Sequence, residues 1–275
     1  MARRLPASLH SAEVKLRRAN LHASTTEREA RRFLDKHSAP AVEVKEKADS
    51  GLLRIGDTVD LILAFVEGAT YPDLPESFPA RFGDAVQNYR AALDHLAWQL
   101  VKHGSTPKPK NPAAVQFPIY TRESDFRAKL ATRLPGVSKA PGGPCDFIHF
   151  AHEYRLGKAQ NALLLLLAKL SNDDKHRTLH TAVAALHGAK HQGTFTRCRP
   201  IEFKNPPIPP SIKPGAEIAH MRVVVTGPNP EVEMEPKLTA YIALEGWTNA
   251  IDGLKQMRAE VGAILNAPEI VAAVS

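Results

Sequence analysis

Cysteine is almost missing from this 275-residue chain: Cys145 and Cys198 are the only two. They lie far apart and form no Cys-x-x-Cys, which excludes a disulfide framework and makes the reducing cytoplasm the expected location. Aromatic residues are sparse at 6%, so the core must be built mainly from Leu, Val, Ile and Ala. Long apolar runs are lacking too. The longest, Ala162-Leu163-Leu164-Leu165-Leu166-Leu167-Ala168, is far short of the ~20 residues of a membrane span, so no membrane partner is expected. The opening Met1-Ala2-Arg3-Arg4-Leu5-Pro6 is charged but has no apolar stretch after it, which argues against a secretory signal. There is no Gly-rich phosphate loop and no dinucleotide fingerprint, and no cofactor is expected.

What the chain has is positive charge, unevenly spread. Its net charge is +7. Residues 1–37 hold Arg3, Arg4, Lys15, Arg17, Arg18, Arg28, Arg31, Arg32 and Lys36 against Glu13, Glu27, Glu29 and Asp35. Such a basic arm attracts nucleic acid through its phosphates, or it is simply the solvated face of a helix.

Periodicity predicts an α+β fold: a central helical bundle flanked by small antiparallel β-strands, with a C-terminal helix, in one domain spanning 1–275. Residues 8–37 read as helical, with Ser24-Thr25-Thr26-Glu27 as a capping-box pattern in the middle, so this stretch is two helices or one long helix. Val42-Glu43-Val44-Lys45 alternates as a strand does; 49–51 reads as a turn, 52–55 as a short strand and 59–66 as a longer one. From 81 to 102, Phe82, Val86, Tyr89, Leu93, Leu96 and Leu100 recur at spacings of four and three, the core stripe of a helix. Within the helical centre, 80–190, a strand is expected at 116–120, a helix at 123–134, a loop at 135–144, and helices at 157–170 and 172–187. A β meander follows over 193–245, with strands at 193–203, 218–225 and 232–244, and a final helix over 247–267.

The first chemical motif is Asn88-Tyr89-Arg90-Ala91-Ala92-Leu93-Asp94-His95, inside the striped helix. At ~100° per residue, Arg90 flanks the stripe with Asp94 one turn on, while His95, Asn88 and Trp98 point to the face opposite the stripe, with His95 about 140° from Arg90. Alanines among those polar groups suggest that this face is covered by another element or a second subunit. Such a set can bind and cleave a phosphodiester, or it can be a buried polar tie between helices.

The Arg-x4-His spacing of Arg90 and His95 resembles the motif of the HEPN superfamily of small helical domains, many of them metal-independent ribonucleases. The resemblance covers roughly 80–190. It implies an RNA-binding protein, a homodimer with the motif at its interface, and an endoribonuclease without metal or cofactor. His95 would handle protons, Arg90 would hold the phosphate, and Asn88 and Asp94 would orient them. Ala91 departs from the polar residue common after the arginine, and the strands are not part of the usual bundle.

The second motif is Asn172-Asp173-Asp174-Lys175-His176-Arg177-Thr178-Leu179-His180. Asn172 reads as a helix N-cap with two acids in the first turn. A phosphate site at that terminus would use Asn172, Asp174, Lys175, His176 and Arg177, unless the charges only pair locally. Together the two motifs resemble uncharacterised bacterial proteins with an Asn-x-Arg-x-x-Leu-Asp-His helix and a later Asn-x-Asp-Lys-His-Arg segment. His176 and His180 are also four apart, and His149, His152 and Glu153 lie nearby in sequence, which leaves a metal-dependent hydrolase as a third reading behind a non-catalytic interaction protein.

Overall fold

The computed structural model describes residues 5–37, 42–47, 53–66, 73–104, 109–151, 162–176, 181–185, 190–204, 215, 217–237, 240–244 and 249–275. The fold is α+β, with a central group of helices, small antiparallel sheets and C-terminal helices. In chain order the elements are α1 (His10–Lys36), β1 (Val42–Lys47), β2 (Thr58–Phe65), α2 (Ser77–Gly104), α3 (Glu123–Arg133), α4 (Pro144–Phe150), α5 (Ala162–His176), β3 (Thr181–Ala185), β4 (Lys190–Thr196), β5 (Cys198–Lys204), β6 (Glu217–Val225), β7 (Glu231–Lys237), β8 (Ala240–Leu244), α6 (Ala250–Asn266) and α7 (Pro268–Val274). Contacts group them into two compact units. A helical unit takes 1–29, 75–180 and 251–275; a strand unit takes 30–74 and 181–250.

In the helical unit α2 is the hub. All six stripe residues are buried, each contributing about 1.5–3 kcal/mol through apolar area removed from water. Antiparallel to α2 runs α1, tied by Tyr89 Oη donating to Asn20 Oδ1 (3.0 Å), by His22 facing Asp84 (3.8 Å) and by an Arg81–Glu29 ion pair. Ala12, Ala19, Ala23 and Thr26 form the buried stripe of α1 in this unit. The α6–α7 arm runs antiparallel to α1, linked at both ends by Lys255–Glu27 (3.5 Å) and Ser8 Oγ donating to the Val274 carbonyl (2.6 Å). On another side α5 crosses close to Gly83: a Cβ there would fall on the Asp174 carboxylate, and Gln87 Nε2 donates to the Ser171 carbonyl (2.5 Å).

In the strand unit three antiparallel strand pairs follow one another as an interrupted ribbon. β3 pairs with β8, β4 with β7 and β5 with β6, and β2 and then β1 add to β6, giving a sheet of order β1-β2-β6-β5. Val59, Leu61, Met221, Val223 and Val225 fill one face, with Phe195 and Val232 packed on it. The ribbon breaks at Arg197, a left-handed residue (φ 57°) whose carbonyl accepts from the amides of Thr226 and Gly227. A Cβ on Gly227 would come within 3.2 Å of the Arg197 Cβ, so this corner favours glycine.

Several expectations are corrected. The capping box lies inside one continuous α1, where Thr26 Oγ1 donates back to the His22 carbonyl (2.9 Å) because the buried Ala stripe runs straight through. No strand forms at 53–55; Arg54 and Asp57 close a turn instead. Residues 115–120 join no sheet, and at Phe117 side chains rather than a neighbouring strand bond the backbone. The expected loop before Pro144 runs directly into the short α4, which periodicity does not predict, nor does it predict α7. Residues 181–185 are strand, not helix, and the strands expected as a meander are nested, since β4 pairs with β7 and β3 with β8 around the β5–β6 pair. The 49–51 turn lies outside the described residues.

Candidate functional site

Helical spacing places Arg90 and Asp94 one turn apart on the flank of α2, and there they close on the extended segment. Arg90 Nη2 donates to the Phe117 carbonyl (2.9 Å), and Asp94 Oδ1 accepts from the Phe117 amide (2.9 Å). The two side chains also bond each other, at 3.0 and 3.2 Å. A buried stretch without strand partners thereby has both polar groups of Phe117 satisfied, which is what burial requires of the backbone.

This clamp forms one wall of a cavity of about 200 Å³ within the helical unit. Gln116, Tyr120 and Arg133 line it from the loop and α3, and Ser171 and Asn172 from α5. Arg133 donates to the Tyr120 hydroxyl (3.1 Å), the Ala114 carbonyl (3.1 Å) and Gln116 Oε1 (2.8 Å).

His95 does not line the cavity. It is half-buried, and its pKa lies below the ordinary histidine value through partial burial, with the nearby Lys15 ammonium adding to the effect and Asp94 opposing it. Asn88 donates to the Asp84 carbonyl of its own helix (2.7 Å) and orients neither Arg90 nor His95. In a single chain the expected cover over this face is incomplete, since Trp98 is 38% exposed. Thus Arg90 and Asp94 come together with Asn172, while His95 and Asn88 lie elsewhere on α2.

The second motif is corrected in kind. Residues 172–176 are not a helix start but the last turn of α5, so its free amides and positive dipole end are not there. The helix continues through Asn172 because Leu163, Leu164, Leu167 and Leu170 bury one face of it and Gly83 leaves room for Asp174. Asn172 keeps a place at the cavity rim, and Asp174 lies against α2. The side chains of Lys175 and His176, and the whole of Arg177, His180, His152 and Glu153, lie outside the described residues. His149 is buried on α4, with Nε2 3.3 Å from Glu123 Oε1. Among the described residues no group of three or more His, Cys, Asp or Glu side chains could hold a metal, and no helix is long and apolar enough to cross a membrane.

Sequence reasoning missed Arg133, Gln116 and Tyr120. The signal for them is weak: a basic residue in the last turn of α3 ordinarily complements the helix dipole, and the strand expected at 116–120 assigns those side chains to a sheet. No family model, curated protein or solved structure matches this chain.

Proposed function

We propose that this chain is a HEPN-like RNA-binding protein in which the segment around Arg90 braces the helical centre and does not cut RNA. The binding half is carried by the exposed cations of α1. Arg17, Arg18 and Arg28 are exposed on one side of the helix, within an arc of about 100°. Glu27 and Glu29, half of the acids in this arm, are drawn to Lys255 and Arg81 and leave the exposed side more basic. A row of cations on one rigid helix suits a string of phosphates. The non-cleaving half is supported by the position of His95 away from the cavity that Arg90 lines.

One observation favours a rival reading, a metal-independent endoribonuclease assembled across a homodimer. His95 is half-buried beside the exposed Trp98 and held neutral near pH 7, a state suited to a general base.

Fluorescence anisotropy with a labelled single-stranded RNA tests the binding reading. Wild-type affinity should fall steeply with salt, and the triple variant Arg17→Glu, Arg18→Glu, Arg28→Glu should lower the slope of log K against log salt by about 2, at roughly 0.7 for each phosphate that is no longer neutralised. A flat salt response, or equal binding by the triple variant, would contradict it.

A further inference from the structure

The cavity beside the clamp has an unbalanced charge. Asp94 neutralises Arg90, but Arg133 has only neutral partners: a carbonyl, an amide oxygen and a hydroxyl. Among the described residues no carboxylate pairs with it. Arginine does not shed its proton in proteins, so this half-buried guanidinium stays charged, and partial desolvation makes an anionic partner favourable. Its three bonds fix the plane of the group, so little ordering entropy remains to be lost when a ligand arrives.

Donors surround Arg133, beside the Asp94 carboxylate that Arg90 neutralises. The Tyr120 hydroxyl accepts from Arg133 and so has its own proton to give. Asn172 is exposed at the rim, and Arg90, held through Nε and Nη2, presents a second guanidinium. Two fixed guanidinium groups and a hydroxyl suit a tetrahedral group with several oxygens better than a planar carboxylate. At about 200 Å³ the cavity is smaller than the ~300–1,000 Å³ of drug-sized clefts, so it takes the anionic group of a ligand and not a large body behind it.

We propose that this cavity binds a phosphate monoester group, with Arg133 supplying the charge, Arg90 and Tyr120 donating hydrogen bonds and Asn172 closing the rim. Such a group is borne by a small free phosphate ester or by the 5′ end of an RNA. The site does not depend on the RNA reading, because a free ester tests it without RNA.

The test is calorimetric titration of the full chain with adenosine 5′-monophosphate, inorganic phosphate and acetate, and separately with 5′-phosphorylated and 5′-hydroxyl forms of one short RNA. The expected result is saturable binding of the two phosphates, at least about tenfold tighter than acetate, with Arg133→Gln abolishing it and Tyr120→Phe and Asn172→Asp each weakening it about tenfold. Should Arg133→Gln fail to fold, the surface variant Asn172→Asp decides. Preference for the 5′-phosphorylated RNA places the ligand at an RNA end. Phosphate binding without that preference supports the site with a free ester as its ligand. Absence of phosphate binding, acetate binding as tight as phosphate, or full binding by both Tyr120→Phe and Asn172→Asp overturns the proposal.

Discussion

Arg90 and Asp94, one turn apart on α2, hold Phe117 by both of its backbone groups, at 2.9 Å each. The ion pair thus works across 23 residues of chain, fixing an extended segment that has no strand to lean on. Arg90 is only 14% exposed, so removal of its carboxylate would leave a largely buried cation and an unpaired amide. Asp94→Ala is therefore expected to destabilise the protein by about 1–3 kcal/mol, and Asp94→Asn by less, since the amide oxygen still accepts from Phe117. Thermal unfolding of the two variants measures this; equal melting temperatures for Asp94→Ala and wild type would show that the clamp does not hold the segment.

Glycine inside a helix ordinarily costs stability, and replacement by alanine ordinarily recovers about 0.5–1 kcal/mol. At Gly83 that gain should shrink, because a Cβ would push the Asp174 carboxylate, the end of a flexible side chain, off α2. Gly83→Ala is expected to change stability by less than about 0.5 kcal/mol, and Asp174→Ala in the same chain should restore the usual alanine gain. Denaturant unfolding of the single and double variants is the check, and a full alanine gain in the single variant would show that Asp174 does not lie against Gly83.

His95 has a pKa below the ordinary value of about 6.5 in the folded chain and near that value when unfolded. The unfolded state therefore takes up the proton first, and the folded state loses stability as pH falls through about 6.5 toward the lower folded value. His95→Gln should be less sensitive than wild type over that window and equal to it in sensitivity above about pH 7.5. Melting temperatures across the range from about pH 5 to 8 give the comparison, and parallel curves would contradict the assigned environment.

Both thiols should be inert in the native protein. Burial pushes Cys145 up to about 11, and burial also raises Cys198. Since only the thiolate reacts quickly, iodoacetamide at about pH 8 should add to neither residue in the native chain and to both after denaturation, as counted by intact mass. Rapid labelling of the native protein would show that one of them is open to solvent.

The parts of the fold that could be read from sequence are those in which one face is buried over many residues. The stripe from Phe82 to Leu100 is regular because α2 is packed along its whole length, and burial alternates from Ala219 to Val225 because one face of β6 meets the core. Illegible parts depend on partners distant in sequence. Asn172-Asp173-Asp174 has the chemistry of a helix start, yet α5 runs through it because Gly83, far away on α2, makes space. The break at Arg197 has no local sign, since a left-handed arginine is held by amides from the opposite strand. At the site, Arg90 and Asp94 are legible as an i,i+4 pair, but their common target Phe117 is not. Arg133 is hidden because its partners are a carbonyl, an amide and a phenol rather than an acid that a charge pattern would pick out.

The central claim, RNA bound but not cut, is tested most directly by incubating the purified protein with end-labelled single-stranded RNA in EDTA and following anisotropy and strand length in the same sample. The expected result is a salt-sensitive anisotropy rise with the RNA intact at the end. Cleavage that survives chelation and is lost in His95→Ala would contradict it and establish the nuclease reading in its place.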